Sequence, residues 1–138
     1  MKVNIHHVKG ITMVGKADSG HWVTMDGPED VGGANAGSRP MELLLIALGG
    51  CTGMDVLSIL QKMRVDLDDF QIEIDADRVS EHPKVFSRIK INYLFYGKNI
   101  PVESVKRAIE LSETKYCSAS IMLRNSCEIT TEYNIIEK

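Results

Sequence analysis

A chain of 138 residues, 43% hydrophobic and 25% charged, has the make-up of one ordinary globular domain. Its net charge of -3 is spread without long runs, so neither nucleic acid nor an anionic membrane is expected as a partner. The opening MKVNIHHVKG lacks the apolar centre of a signal peptide, and three cysteines without close spacing make no disulfide scaffold, so a cytoplasmic protein with free thiols is expected.

Val3 to Val8, Ile11 to Ala17 and His21 to Met25 read as three short strands of an antiparallel meander, the first two joined near Lys9-Gly10. His6, His7 and His21 sit in these strands without a second set of ligand spacings, so they read as strand-surface residues and no metal site is expected. Asp26 to Ser38, DGPEDVGGANAGS, is rich in Gly, Asn and Asp and reads as a long loop, a length at which loops often carry function.

Arg39 to Arg64 then reads as one long helix with Cys51 at its middle. Pro40 suits the first helical position and Glu42 favours the positive end of the helix dipole. The stretch spans roughly 39 Å at about 1.5 Å per residue, enough to cross a small domain. Its apolar residues, from Met41 and Leu43 to Leu60 and Met63, surround the cylinder, which predicts burial on every side. Glu42, Asp55 and the Gly49-Gly50 pair argue against a membrane span. The glycines cost about 1 kcal/mol each against alanine, which predicts a second backbone close beside them.

Phe70 to Val79 and Val85 to Tyr96 alternate apolar and charged residues as two half-buried strands of a hairpin with acidic and basic outer faces. Pro101 opens an amphipathic helix to about Lys115, and Tyr116 to Leu123 reads as a further helical turn beginning at Cys117, with Ser118 and Ser120 as cap formers. Ser126 to Ile136 reads as a closing strand, with Cys127 in the apolar register of Ile129. The order of elements is that of an α+β fold, and no internal repeat appears.

With these residues in view, GSRPMELLLIALGGCTGMDVL followed by SETKYCSASIML resembles the OsmC/Ohr family of thiol-dependent peroxidases, in particular its YhfA-like branch. The resemblance covers nearly the whole chain, 1–138, as a single OsmC-like domain. It implies antiparallel sheets around a long buried central helix, in an intertwined homodimer with two sites at the subunit interface. It further implies that Cys51 is the peroxidatic thiol, attacking an organic hydroperoxide or hydrogen peroxide, and that Cys117 is the resolving thiol. No cofactor is implied, only an external dithiol or lipoyl-type reductant. Two thiols suit this chemistry, because a sulfenic acid must meet a second thiol before further oxidation inactivates it. A helix N-terminus at Cys117 is expected to favour its thiolate.

Two positions depart from the family's pattern. The glutamate that directly follows the helix-opening proline is Met41 here, with the acid one step on at Glu42; the arginine that pairs with it has no clear counterpart, although Arg39 stands close in sequence, so Glu42 and Arg39 are the candidates for these two catalytic roles. Asp55, four residues after Cys51 on the same helix face, opposes thiolate formation. Two other readings of the residues stay open: a thiol-redox sensor with little turnover, and a dimer whose apolar interface pocket binds a small ligand.

Overall fold

Alternation of apolar and polar residues drives the second of the two sheets. The structure, a computed structural model, describes residues 1–137. In chain order it contains β1 (Val3–Lys9), β2 (Thr12–Ala17), β3 (Trp22–Met25), α1 (Pro40–Lys62), β4 (Asp69–Arg78), β5 (Phe86–Tyr96), α2 (Val102–Leu111), α3 (Ser118–Arg124) and β6 (Glu128–Ile136). The chain divides within α1 into two compact units, Met1–Ile46 and the remainder from Ala47.

In the first unit β1, β2 and β3 form the expected antiparallel meander, with Ile5 opposite Gly15 and Gly15 opposite Val23. The loop after β3 is organised by Asp26, a residue the sequence did not single out. Asp26 is 3% exposed. Its carboxylate accepts hydrogen bonds from Thr12 Oγ1 and from the backbone N–H groups of Gly27, Ala34 and Ala36. Four donors converging on one carboxylate favour its charged form, and its pKa is lowered, above all by the bond from Ala36. The loop then delivers Arg39 to the start of α1. The Glu42 Oε2 accepts from the Arg39 backbone N–H at 2.8 Å, so Glu42 closes one half of a capping box.

The second unit is built on β5. Ile89, Ile91, Tyr93 and Phe95 are fully buried, and in β4 Ile74, Ile72 and Phe70 stand opposite Ile91, Tyr93 and Phe95. The other face carries the charges, with Arg88 on Asp77 at 2.7 Å and Lys90 on Glu132 at 2.9 Å. β4 and β5 are antiparallel, whereas β6 joins β5 in parallel. Alternation within β6 is blind to direction; the intervening α2 and α3 supply the crossover that a parallel pair requires.

The predicted burial of α1 on every side is not what the chain alone achieves. Leu48, Thr52, Gly53, Val56 and Leu60 are buried, a row at mostly four-residue spacing. Ile46 and Met54 are 60% and 70% exposed. By length and composition α1 would also suffice to cross a membrane, yet within its buried row Gly53 stands against Ile72 of β4 and Thr52 bonds Tyr93 of β5. The second backbone expected beside Gly49-Gly50 is also corrected. A Cβ on Gly49 would lie 3.1 Å from Ile74 Cδ1, and one on Gly53 2.8 Å from Ile72 Cδ1, while one on Gly50 would meet nothing within 4 Å. Strand side chains, not a backbone, explain the small residues, and Gly53 is the more crowded position.

Candidate functional site

Cys51 sits mid-way along α1, on the turn between Leu48 and Asp55. Helical spacing of four residues puts Cys51 and Asp55 side by side. The third member arrives from far along the chain. α2 ends in a π-helical turn, Ser112–Tyr116, after which Cys117 takes an extended backbone and α3 begins. A thiol sulfur from each of Cys51 and Cys117 and a carboxylate oxygen of Asp55 all lie within 4.8 Å of one another. All three cysteines are free thiols; Cys117 is buried, and Cys51 and Cys127 are partly exposed.

Cys117, rather than Ser118 or Ser120, caps α3: its side chain accepts from the Ser120 N–H, with an N···S distance of 3.4 Å. The expectation that this cap would favour its thiolate is overturned. Burial pushes the Cys117 thiol up to about 11, Cys51 and Asp55 add to the rise, and the bond from Ser120 only partly opposes it. At 0% exposure the loss of hydration outweighs one N–H donor and a short helix end.

A polar network that the sequence reading missed holds this arrangement. Thr52, next to Cys51, is fully buried, and its Oγ1 lies 2.5 Å from the Tyr93 hydroxyl and 2.8 Å from Ser112 Oγ. Ser112 Oγ also lies 3.4 Å from Asp55 Oδ2. The network therefore ties α1 to β5 and to the turn that leads into Cys117. Burial raises the Tyr93 hydroxyl to about 12, so it stays protonated and able to donate. The available signal was positional: Thr52 is the polar member of the row Leu48, Thr52, Val56, Leu60, and a buried hydroxyl demands a partner. A cleft of about 230 Å³, lined by Asp55, Ser58, Ile59, Lys62, Leu111 and Tyr116, reaches Asp55 from outside.

Arg39 and Glu42 belong to the first unit, and their bonds lie within it. The Arg39 guanidinium donates to Gly37 O at 3.0 Å and to Asn35 Oδ1 at 2.6 Å. Cys127 donates weakly to Leu123 O, and burial raises its pKa. His6 and His7 are exposed strand residues, as expected; the ring of His6 lies 6.0 Å from that of Trp22.

The fold recurs in known proteins. The family model of OsmC-like proteins matches residues 32–132. Protein YhfA of Escherichia coli K12 is 37% identical over 139 residues, 99% of this chain and 98% of its own. A crystal structure of a hypothetical protein from Aquifex aeolicus superposes with a TM-score of 0.87 at 31% identity, covering 99% of this chain and 96% of that one. The organic hydroperoxide resistance protein OhrB of Bacillus subtilis shares the fold at 15% identity, with a TM-score of 0.64 over 96% of each chain. With the family model spanning most of its length and a relative above 30% identity over nearly all of it, the chain belongs to the OsmC-like family.

Proposed function

We propose that the protein is a thiol-dependent peroxidase that reduces organic hydroperoxides in the reducing cytoplasm, with Cys51 as the peroxidatic and Cys117 as the resolving thiol. The observation that carries this reading is the convergence of the two free sulfurs, from distant parts of the chain, to within 4.8 Å. Side-chain rotation then has only to bring them to the about 2.05 Å of a disulfide. The partial exposure of Cys51 and the burial of Cys117 support the division of roles, because the first thiol must meet the peroxide and the second must not.

In this reading the Cys51 thiolate attacks one peroxide oxygen, the O–O bond breaks, and the alkoxide leaves as alcohol after taking a proton. Cys51 is then a sulfenic acid. The Cys117 sulfur attacks it, hydroxide departs as water, and a disulfide remains that an external dithiol of the lipoyl type reduces by two electrons. Cys117 is protonated at neutral pH, so it must lose that proton as it attacks. Asp55 lies within reach of both sulfurs as the acceptor. Arg39 and Glu42 enter as positioning residues that fix the start of α1. A direct catalytic part for Glu42 would require Glu42→Gln to lower kcat/KM at unchanged stability. Exposure of Ile46 and Met54 supports the homodimer that the resemblance implies, with a second copy covering this side of α1.

The test is consumption of cumene hydroperoxide by reduced protein with a dithiol donor, followed by peptide mapping. Turnover through a Cys51–Cys117 disulfide, lost in Cys51→Ser and limited to a single turnover in Cys117→Ser, supports the reading. Consumption no faster than a free thiol refutes it. A second reading, a redox sensor with little turnover, is favoured by Asp55, which has no ion pair among the described residues and adds to the raised pKa of the Cys117 thiol beside it. Stoichiometric disulfide formation without sustained turnover would select it.

A further inference from the structure

We propose that Cys51, Asp55 and Cys117 form a binding site for a zinc-class divalent ion, one that holds the two thiols reduced and unavailable to peroxide. The site shares its thiols with the peroxidase reading but requires only that they be reduced, not that peroxide turns over.

The donor set is two sulfurs and one carboxylate oxygen, mutually within 4.8 Å. A tetrahedral ion with Zn–S near 2.3 Å and Zn–O near 2.1 Å separates its ligand atoms by roughly 3.5–3.8 Å. A contraction of at most about 1.3 Å therefore converts the observed cluster into three corners of a tetrahedron. Two of the ligands stand at i and i+4 on one helix, the spacing that places paired ligands on one face in helical zinc motifs. Three protein ligands leave a fourth position for water or a small ligand.

Three independent features point the same way. The outer partners are in place, since Ser112 Oγ reaches Asp55 and the Ser120 N–H reaches Cys117 Sγ. Ser120 Oγ, on the turn that carries Cys117, is buried and is the one such atom without a hydrogen-bond partner among the described residues. The cleft that reaches Asp55 supplies an entry path. Binding releases one proton from each thiol, and two thiolates with one carboxylate leave the occupied site with a net charge of −1. No electron transfer is involved.

The experiment titrates reduced protein, without peroxide, with Zn²⁺ against a chromophoric chelator and with Co²⁺ by absorption spectroscopy. One ion per chain, a sulfur-to-cobalt charge-transfer band and protection of both thiols from alkylation are expected. Cys127→Ser retains all three. Asp55→Asn weakens affinity at least about tenfold, since loss of even an outer partner costs about 10–100-fold at metal sites. Binding that survives Asp55→Asn unchanged, a cobalt spectrum without the thiolate band, or no binding at one equivalent would overturn the proposal. Because Asp55→Asn leaves both thiols and every buried apolar contact intact, it stays informative even if the cysteine variants fail to fold. Failure of peroxide turnover leaves the metal result untouched, and the converse also holds.

Discussion

Thr52→Val tests whether the buried hydroxyl network holds the site together. Valine nearly reproduces the shape of threonine, so the perturbation is the loss of one oxygen at a fully buried position. That oxygen is the hub: it bonds Tyr93 OH at 2.5 Å and Ser112 Oγ at 2.8 Å. Ser112 keeps the Thr52 carbonyl and Asp55 within 3.4 Å, but the Tyr93 hydroxyl, on a ring that is 0% exposed, keeps no other partner among the described residues. A buried polar group left unpaired costs about 1–3 kcal/mol, so we expect a loss of about 2 kcal/mol. In a chain of this length that lowers Tm by about 6–10 °C.

The assay is urea unfolding of reduced protein followed by far-ultraviolet circular dichroism, repeated for Tyr93→Phe and for the double variant. Tyr93→Phe alone should cost about 1 kcal/mol, because Thr52 retains Ser112. The double variant should be no worse than Thr52→Val by more than about 0.5 kcal/mol, since it removes the orphaned hydroxyl. Strict additivity of the two, or a Thr52→Val cost below about 0.5 kcal/mol, would refute the reasoning.

Three further outcomes follow from the same geometry. The folded state holds the Cys117 thiol near 11, above its unfolded value, so the stabilisation belongs to the protonated form. It is fully present below about pH 8.5–9 and is lost as pH rises through 11; pH-dependent unfolding should show that decline, and Cys117→Ser should flatten it. Asp26 behaves in the opposite sense: its lowered pKa contributes stability that is present above 3.8 and lost as pH falls below it. Asp26→Asn should shrink the acid limb and speed proteolysis between residues 26 and 38. Glu42→Ala should cost about 1 kcal/mol through loss of the capping bond, whereas Glu42→Gln, which still offers an acceptor, should cost little on thermal unfolding.

What the sequence by itself determined is local. Period-two alternation placed β4, β5 and β6, and Pro40 with the apolar run after it placed α1 to within two residues of its end. The proline, the mid-helix cysteine and the second cysteine pointed to the family. The i, i+4 spacing of Cys51 and Asp55 was legible for the same reason, because helix geometry alone sets it. What the tertiary structure decided depends on long-range approach and on desolvation. Residues 51 and 117 carry no mutual signal along the chain, and their convergence follows from where the turn after α2 meets α1. Whether the cap at Cys117 or its burial would govern the thiol depended on whether water reaches the sulfur, and at 0% exposure burial prevails. The parallel pairing of β6 and the one-sided cover of α1 were hidden for the same reason: periodicity records that a residue prefers an apolar neighbour, and only the assembled fold says which neighbour, from which direction, supplies it.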